Sequence, residues 1–160
     1  MQTNYEFAAG NFPQILIVEP IPSTRSKISR AFQTLNVRIN SIGSGAEALD
    51  VIKGMGLPDI AIIELFLPDM SGMDLATQIY KIKPIPIIMT AYQADPQTVV
   101  NMLDLVAEDF IRKPIEEREL VARVIRLLPR RFRSIVQPEE SSLKRTELAD
   151  YSRGNFKLVY

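Results

Sequence analysis

Short apolar runs alternate with stretches of helical spacing from about Gln14 to Leu128. Ile15-Leu16-Ile17-Val18, closed by Glu19-Pro20, reads as a buried strand. Ser23 is placed to cap a first helix with apolar positions at Ile28, Ala31, Phe32 and Leu35. Val37 to Ile42 alternates and predicts a half-exposed second strand. Ser44-Gly45 opens a second helix through Ala48, Leu49 and Ile52 that stops at Gly54-Met55-Gly56. The nearly continuous apolar run Ile60 to Ile63, closed by Glu64, predicts a central strand. After the loop Leu65 to Ser71, Gly72 starts a third helix carrying Met73, Ala76 and Ile79. Pro86 to Met89 is a fourth strand ending at Thr90-Ala91. Asp95-Pro96 enters a fourth helix with Val99, Met102, Leu103 and Val106 on one face. Phe110-Ile111 is a short fifth strand ending at Lys113-Pro114. The fifth helix runs from about Glu116 and buries Leu120, Val121, Val124 and Leu128.

Five strands alternating with five helices imply right-handed βαβ units, hence a parallel α/β sheet covered on both faces. In such sheets the functional crevice lies beyond the carboxyl ends of the strands. The residues closing the strands, Glu19, Glu64, Thr90 and Lys113, are therefore expected to converge on one pocket. Residues 14–128 form the expected domain, with 1–13 as an N-terminal arm and 129–160 as a C-terminal extension.

Composition narrows the chemistry. Lys plus Arg and Asp plus Glu are 19 each in 160 residues, so no net field draws the chain to nucleic acid or an anionic membrane. Cysteine and histidine are absent, which removes disulfides, thiolate sites and the commonest neutral-pH base and metal ligand. A metal site would have to be built from oxygens and would suit a hard cation such as Mg²⁺. Residues 1–13 lack the pattern of a signal peptide, and no apolar run approaches the roughly 18 residues that span a bilayer. A soluble, cytoplasmic protein is expected.

The segments ILIVEP (15–20), GSGAEALDVI (43–52), PDIAIIELFLPDMSGMDL (58–75), PIIMTAY (86–92) and DFIRKPI (109–115) resemble the receiver domains of two-component response regulators. The resemblance implies a CheY-like, flavodoxin-like (βα)5 doubly wound sheet of order 2-1-3-4-5, followed here by the C-terminal extension. It also implies a chemistry. In such domains an acidic pair after the first strand binds Mg²⁺ and an Asp closing the third strand accepts a phosphoryl group. A Thr or Ser after the fourth strand and an aromatic on the fifth report the modification, and a Lys before a Pro neutralises its oxygens.

Carried over residue by residue, the resemblance puts Lys113 at the lysine position, Thr90 at the hydroxyl, Phe110 at the aromatic and Glu19 at the first acid. Two positions depart. Pro20 stands where the second, metal-touching acid is expected, and Glu64 stands at the phosphoacceptor position. The extra methylene of Glu moves its carboxylate outward by about 1 Å, a displacement that can cost roughly 100-fold in rate. Glu64 then either imitates a phosphoryl group near Lys113 and Thr90, or serves only as the partner that buried Lys113 requires. No cofactor is expected, and Mg²⁺ has lost a ligand.

The leading functional reading is an atypical pseudo-receiver, a phosphorylation-independent protein-interaction module in signal transduction. The alternative is a working response regulator with weak Mg²⁺-dependent phosphorylation or phosphate-analogue binding at the altered site. An enzyme on the same architecture is disfavoured, because no glycine-rich phosphate loop or base-paired nucleophile is present. With about thirty residues after the receiver-like part, a DNA-binding output is not expected either. The implied partner is a protein docking on the fourth helix, fifth strand and fifth helix, with a homodimer as one form. Val100 and Leu105 flank the buried stripe of the fourth helix, marking either that face or a wide core-facing arc. Asp69 and Asp74 read as turn and cap residues rather than metal ligands. In the extension, Arg130, Arg131 and Arg133 read as a solvated helix end. Residues 139–150 are a weak helix candidate, and Phe156, Leu158 and Tyr160 alternate as in an edge strand or docking peptide, or belong to a mobile tail.

Overall fold

The computed structural model describes residues 12–136. Its elements in chain order are β1 (Gln14–Val18), α1 (Pro22–Ala31), β2 (Arg38–Ile42), α2 (Gly45–Met55), β3 (Ile60–Glu64), α3 (Gly72–Ile82), β4 (Ile87–Ala91), α4 (Pro96–Leu105), β5 (Asp109–Arg112), α5 (Glu117–Leu127) and α6 (Arg130–Val136). All strand pairs are parallel, and the sheet order is β2-β1-β3-β4-β5.

Alternation along each strand divides the core in two. Leu16, Val18, Ala61, Ile63, Ile87 and Met89 face α2, α3 and α4. Ile15, Ile17, Ile60, Ile62, Ile88 and Ile111 face α1, α5 and α6. Both faces of β1, β3 and β4 are covered, which is why these strands read as unbroken apolar runs. β2 lies on the edge, with Arg38 and Ser41 exposed.

The helix starts follow capping chemistry in four cases. The side chains of Ser44, Ser71, Asp95 and Glu116 accept the backbone N–H three residues on. Ser23 does not cap the first helix. That helix starts at Pro22, with Ile21 at its N-cap and no side-chain cap, because proline's fixed φ suits the first helical position. The same helix ends at Ala31, so Leu35 packs from the following turn, and the second strand starts at Arg38 rather than Val37. In α3 the buried stripe is Leu75, Ala76 and Ile79, with Met73 only partly covered.

Two further departures concern surfaces. Leu103 is not on the buried face of α4; it is exposed together with Val100 and Leu105, and Met102 is the one fully buried residue of that helix. A wide core-facing arc does not form. The packed structure also continues past Leu128 into α6, where Phe132 and Val136 are buried against the α1–α5 side while Arg130, Arg131 and Arg133 stay exposed. The Asn36 side-chain amide ties this helix down by donating to the Ile135 carbonyl at 3.0 Å. Residues 139–150 and the alternating Phe156, Leu158 and Tyr160 lie outside the described residues. Among the described residues no helix is long and apolar enough to cross a membrane.

Candidate functional site

The carboxyl ends of β1, β3, β4 and β5 bring four polar side chains together beneath the surface. Glu19 is 1% exposed, Thr90 1%, Glu64 5% and Lys113 6%. Backbone ladders set their positions. The Glu19 N–H donates to the Ile42 carbonyl at 3.0 Å, Glu64 pairs with Thr90 in register, and the Lys113 N–H donates to the Ala91 carbonyl at 2.9 Å. The peptide bond from Lys113 to Pro114 is cis.

The Lys113 ammonium lies between the two acids, with Nζ 2.5 Å from Glu19 Oε2 and 2.5 Å from Glu64 Oε2. Thr90 Oγ1 donates to the same Glu64 oxygen at 3.2 Å. The other oxygens are held by backbone: the Ile21 N–H donates to Glu19 Oε1 at 3.0 Å, and the Phe66 N–H to Glu64 Oε1 at 3.3 Å. Two carboxylates and one ammonium leave the cluster with an excess of one negative charge. These neutral donors, each strengthened by an ionised acceptor, spread that charge. Among the described residues no buried side-chain polar atom lacks a partner. Burial alone would push the Lys113 ammonium down, but its hydrogen bonds to Glu19 and Glu64 and their charge outweigh that, and its pKa is raised.

A cleft of about 330 Å³ opens above this cluster, lined by Glu19, Pro20, Ile21, Glu64, Phe66, Tyr92, Gln93 and Lys113. Its mouth is largely apolar, since Ile21, Phe66 and Tyr92 are exposed side chains. The Tyr92 ring centroid lies 5.1 Å from Lys113 Nζ, a cation–π distance. Arg25 borders the site from α1 and donates to the Glu19 carbonyl at 2.8 Å. A larger hollow, about 590 Å³, lies between the ends of α1 and α5, lined by Ala31, Leu35, Val121 and Ile125. It holds none of the buried polar groups, so the strand-end cleft is the chemically equipped one.

Of the expected residues, Glu19, Glu64, Thr90 and Lys113 meet, and Pro20 lines the cleft wall. Phe110 does not reach the cluster. It is half-buried on the opposite face of β5, packed on the α2–α3–α4 side, with the Arg112 guanidinium 5.6 Å from its ring centroid. Asp69 is also elsewhere: it accepts the Gly45 and Ala46 N–H groups at 2.9 and 2.8 Å, anchoring the start of α2. Those backbone donors hold its carboxyl below the usual carboxylate range. Arg25, Ile21, Phe66 and Tyr92 also shape the site but carry little signal in the sequence, apart from an aromatic two residues after Thr90 in PIIMTAY.

The Mg²⁺ that the resemblance implies does not fit this donor set. Mg²⁺ demands near-octahedral oxygen ligands at about 2.0–2.1 Å. All four carboxylate oxygens of Glu19 and Glu64 already accept a hydrogen bond from the chain itself, and Pro20 adds no side-chain ligand.

The family described as response regulator receiver domain matches residues 15–125. Over 111 residues the chain is 32% identical to the DNA-binding response regulator MtrA of Mycolicibacterium smegmatis, covering 69% of this chain and 48% of that protein. It is 34% identical over 117 residues to the sensory transduction protein RegX3 of the same organism, covering 72% and 50%. The chain thus spans about half the length of these curated relatives. Among solved structures, the signal receiver domain of a putative Luxo repressor protein from Vibrio parahaemolyticus superposes with a TM-score of 0.67 at 27% identity, covering 88% of this chain and 97% of that one. The family match at residues 15–125 covers well over half of the chain and includes the strand-end cluster, so the chain belongs to the response regulator receiver domain family.

Proposed function

We propose that this chain is a pseudo-receiver, a signalling module that binds a protein partner without aspartyl phosphate. The observation that carries the reading is the state of the Glu64 carboxylate. An ammonium, a hydroxyl and a backbone N–H, the donor types that would hold a phosphoryl group, are already engaged by Glu64 itself. Glu64 would then act both as the partner of Lys113 and as a fixed stand-in for the charge that a modified Asp would carry. The glutamate also has little reason to act as a nucleophile, since both of its oxygens are committed to donors.

The partner surface on this reading is the α4–β5–α5 side. There Val100, Leu103 and Leu105 are exposed on α4, and an Asp109–Arg123 ion pair at 2.7 Å stiffens the junction of β5 and α5. Incubation of the full chain with Mg²⁺ and acetyl phosphate, followed by intact mass, tests the reading. The expected result is an unchanged mass and equal partner recovery from native lysate before and after treatment. A gain of one phosphoryl group at Glu64 or elsewhere in the cleft would instead establish a working regulator.

A further inference from the structure

We infer that Lys113 is the resident cation of this pocket, filling the space between Glu19 and Glu64 so that the domain neither needs nor admits a divalent ion there. The inference extends the proposed function and rests on it for what the pocket does. Its own support is geometric. One ammonium lies 2.5 Å from an oxygen of each acid, so a single positive charge serves both carboxylates. A divalent ion bound to the same oxygens at about 2.1 Å would sit no more than about 4.6 Å from Nζ, and the two cations would repel at that range.

The lysine is closely confined. Its side chain is 2% exposed, and the Tyr92 ring lies over the ammonium. The outer oxygens Glu19 Oε1 and Glu64 Oε1 are turned toward the Ile21 and Phe66 N–H groups, so neither acid can swing to a metal without releasing a backbone donor. Pro20, next to Glu19, has no side-chain donor atom to complete a shell. The acids still exceed the single ammonium by one charge. Removing Lys113 would therefore leave two facing carboxylates with no cation between them, and the latent site would appear.

The test is calorimetric titration of MgCl₂ and CaCl₂ into the full chain, with thermal midpoints read against NaCl of matched ionic strength. Wild type should show no saturable heat and an unchanged midpoint. Lys113→Met and Lys113→Gln should each gain saturable divalent binding and a midpoint raised by several degrees, and adding Glu19→Gln should remove both. If a lysine variant unfolds alone, recovery of its folded state by Mg²⁺ or Ca²⁺ supports the inference. Saturable Mg²⁺ binding by wild type that Glu19→Gln abolishes would overturn it. So would lysine variants that neither bind nor are rescued by divalent ions. Wild type that binds Mg²⁺ yet takes no phosphoryl group would sink this inference alone and leave the interaction-module reading standing.

Discussion

The tightest steric constraint near the cluster is at Gly72, the first residue of α3. A Cβ there would lie 2.1 Å from the Glu64 carbonyl oxygen, and 2.9 Å from both Glu64 C and Leu65 Cα. Ordinary carbon–oxygen contacts begin at about 3.3 Å, so Gly72→Ala requires roughly 1 Å of movement by backbone. The strand end cannot yield freely, because the Leu65 N–H donates to the Thr90 carbonyl at 2.8 Å. If the helix lifts instead, it strains the Gly72 N–H bond to the Leu65 carbonyl, 2.7 Å, and loosens Leu75, Ala76 and Ile79, all fully buried. Overpacking of this kind costs about 1–3 kcal/mol, and the weakened hydrogen bond adds about 1 kcal/mol. The expected loss for Gly72→Ala is therefore about 2–4 kcal/mol. Gly54, in the last turn of α2, has nothing within 4 Å of its would-be Cβ. Gly54→Ala should gain about 0.4–1 kcal/mol by restricting the unfolded chain. Urea unfolding followed by circular dichroism measures both on one scale. A Gly72→Ala protein within about 0.5 kcal/mol of wild type would refute the claim that α3 is pinned against the end of β3.

Phe132→Ala should cost about 3–5 kcal/mol, as for a core aromatic, because Phe132 is 3% exposed against the α1–α5 side; urea midpoints check this, and a loss below about 1 kcal/mol would mean that α6 is an ornament. Glu64→Ala strips a partner from the buried lysine and should cost about 3–5 kcal/mol, whereas Glu64→Gln keeps an acceptor and leaves Glu19 to pair with Lys113, so it should cost clearly less. Equal losses for the two variants would show that shape, rather than the ion cluster, holds that corner. The Lys113 pKa is raised in the fold, so the stability it contributes is complete below its unfolded value of about 10.4 and is lost as pH rises through the higher folded value. The stability gap between wild type and Lys113→Met should accordingly be flat from neutral pH to about 10 and narrow only above that; a gap already narrowing near pH 8 would contradict a raised value.

The fold was legible because its strands are buried on both faces. Ile15 to Val18, Ile60 to Ile63 and Ile87 to Met89 carry no polar interruption, and each run ends at a polar residue or turn. The parallel arrangement then brought Glu19, Glu64, Thr90 and Lys113 to one edge from strand geometry alone. Periodicity failed where a second signal competed with it. Phe132 and Val136 have the i, i+4 spacing of a packed helix face, but they sit among Arg130, Arg131 and Arg133, and the charges hide the stripe. Ser23 is a good capping type, yet Pro22 beside it starts the helix two residues earlier, with Ile21 at the cap. Leu103 follows Met102 on α4, and about 100° of rotation per residue is enough to carry it from the core to solvent. Phe66 and Tyr92, which shape the mouth of the cleft, stand beyond strand ends in loops, where no period predicts direction.

The donors on Glu64 also bear on where control of the module can lie. The donors that a phosphoryl group would use here, Lys113, Thr90 and the Phe66 N–H, are engaged by Glu64 in the unmodified chain. On the proposed reading the pocket therefore has no second state to offer at modest cost, because any incoming anion must displace a buried carboxylate that is itself ionically paired. A ligand shifts an equilibrium only by its differential affinity for two states. Control, if partner binding is controlled, would then have to act on surfaces that remain open, and the exposed side chains Val100, Leu103 and Leu105 of α4 are the apolar ones on the side assigned to the partner. Substituting those three with Ser should weaken partner recovery while leaving the cluster's response to alkaline pH unchanged, separating the surface that binds from the pocket that holds it in shape.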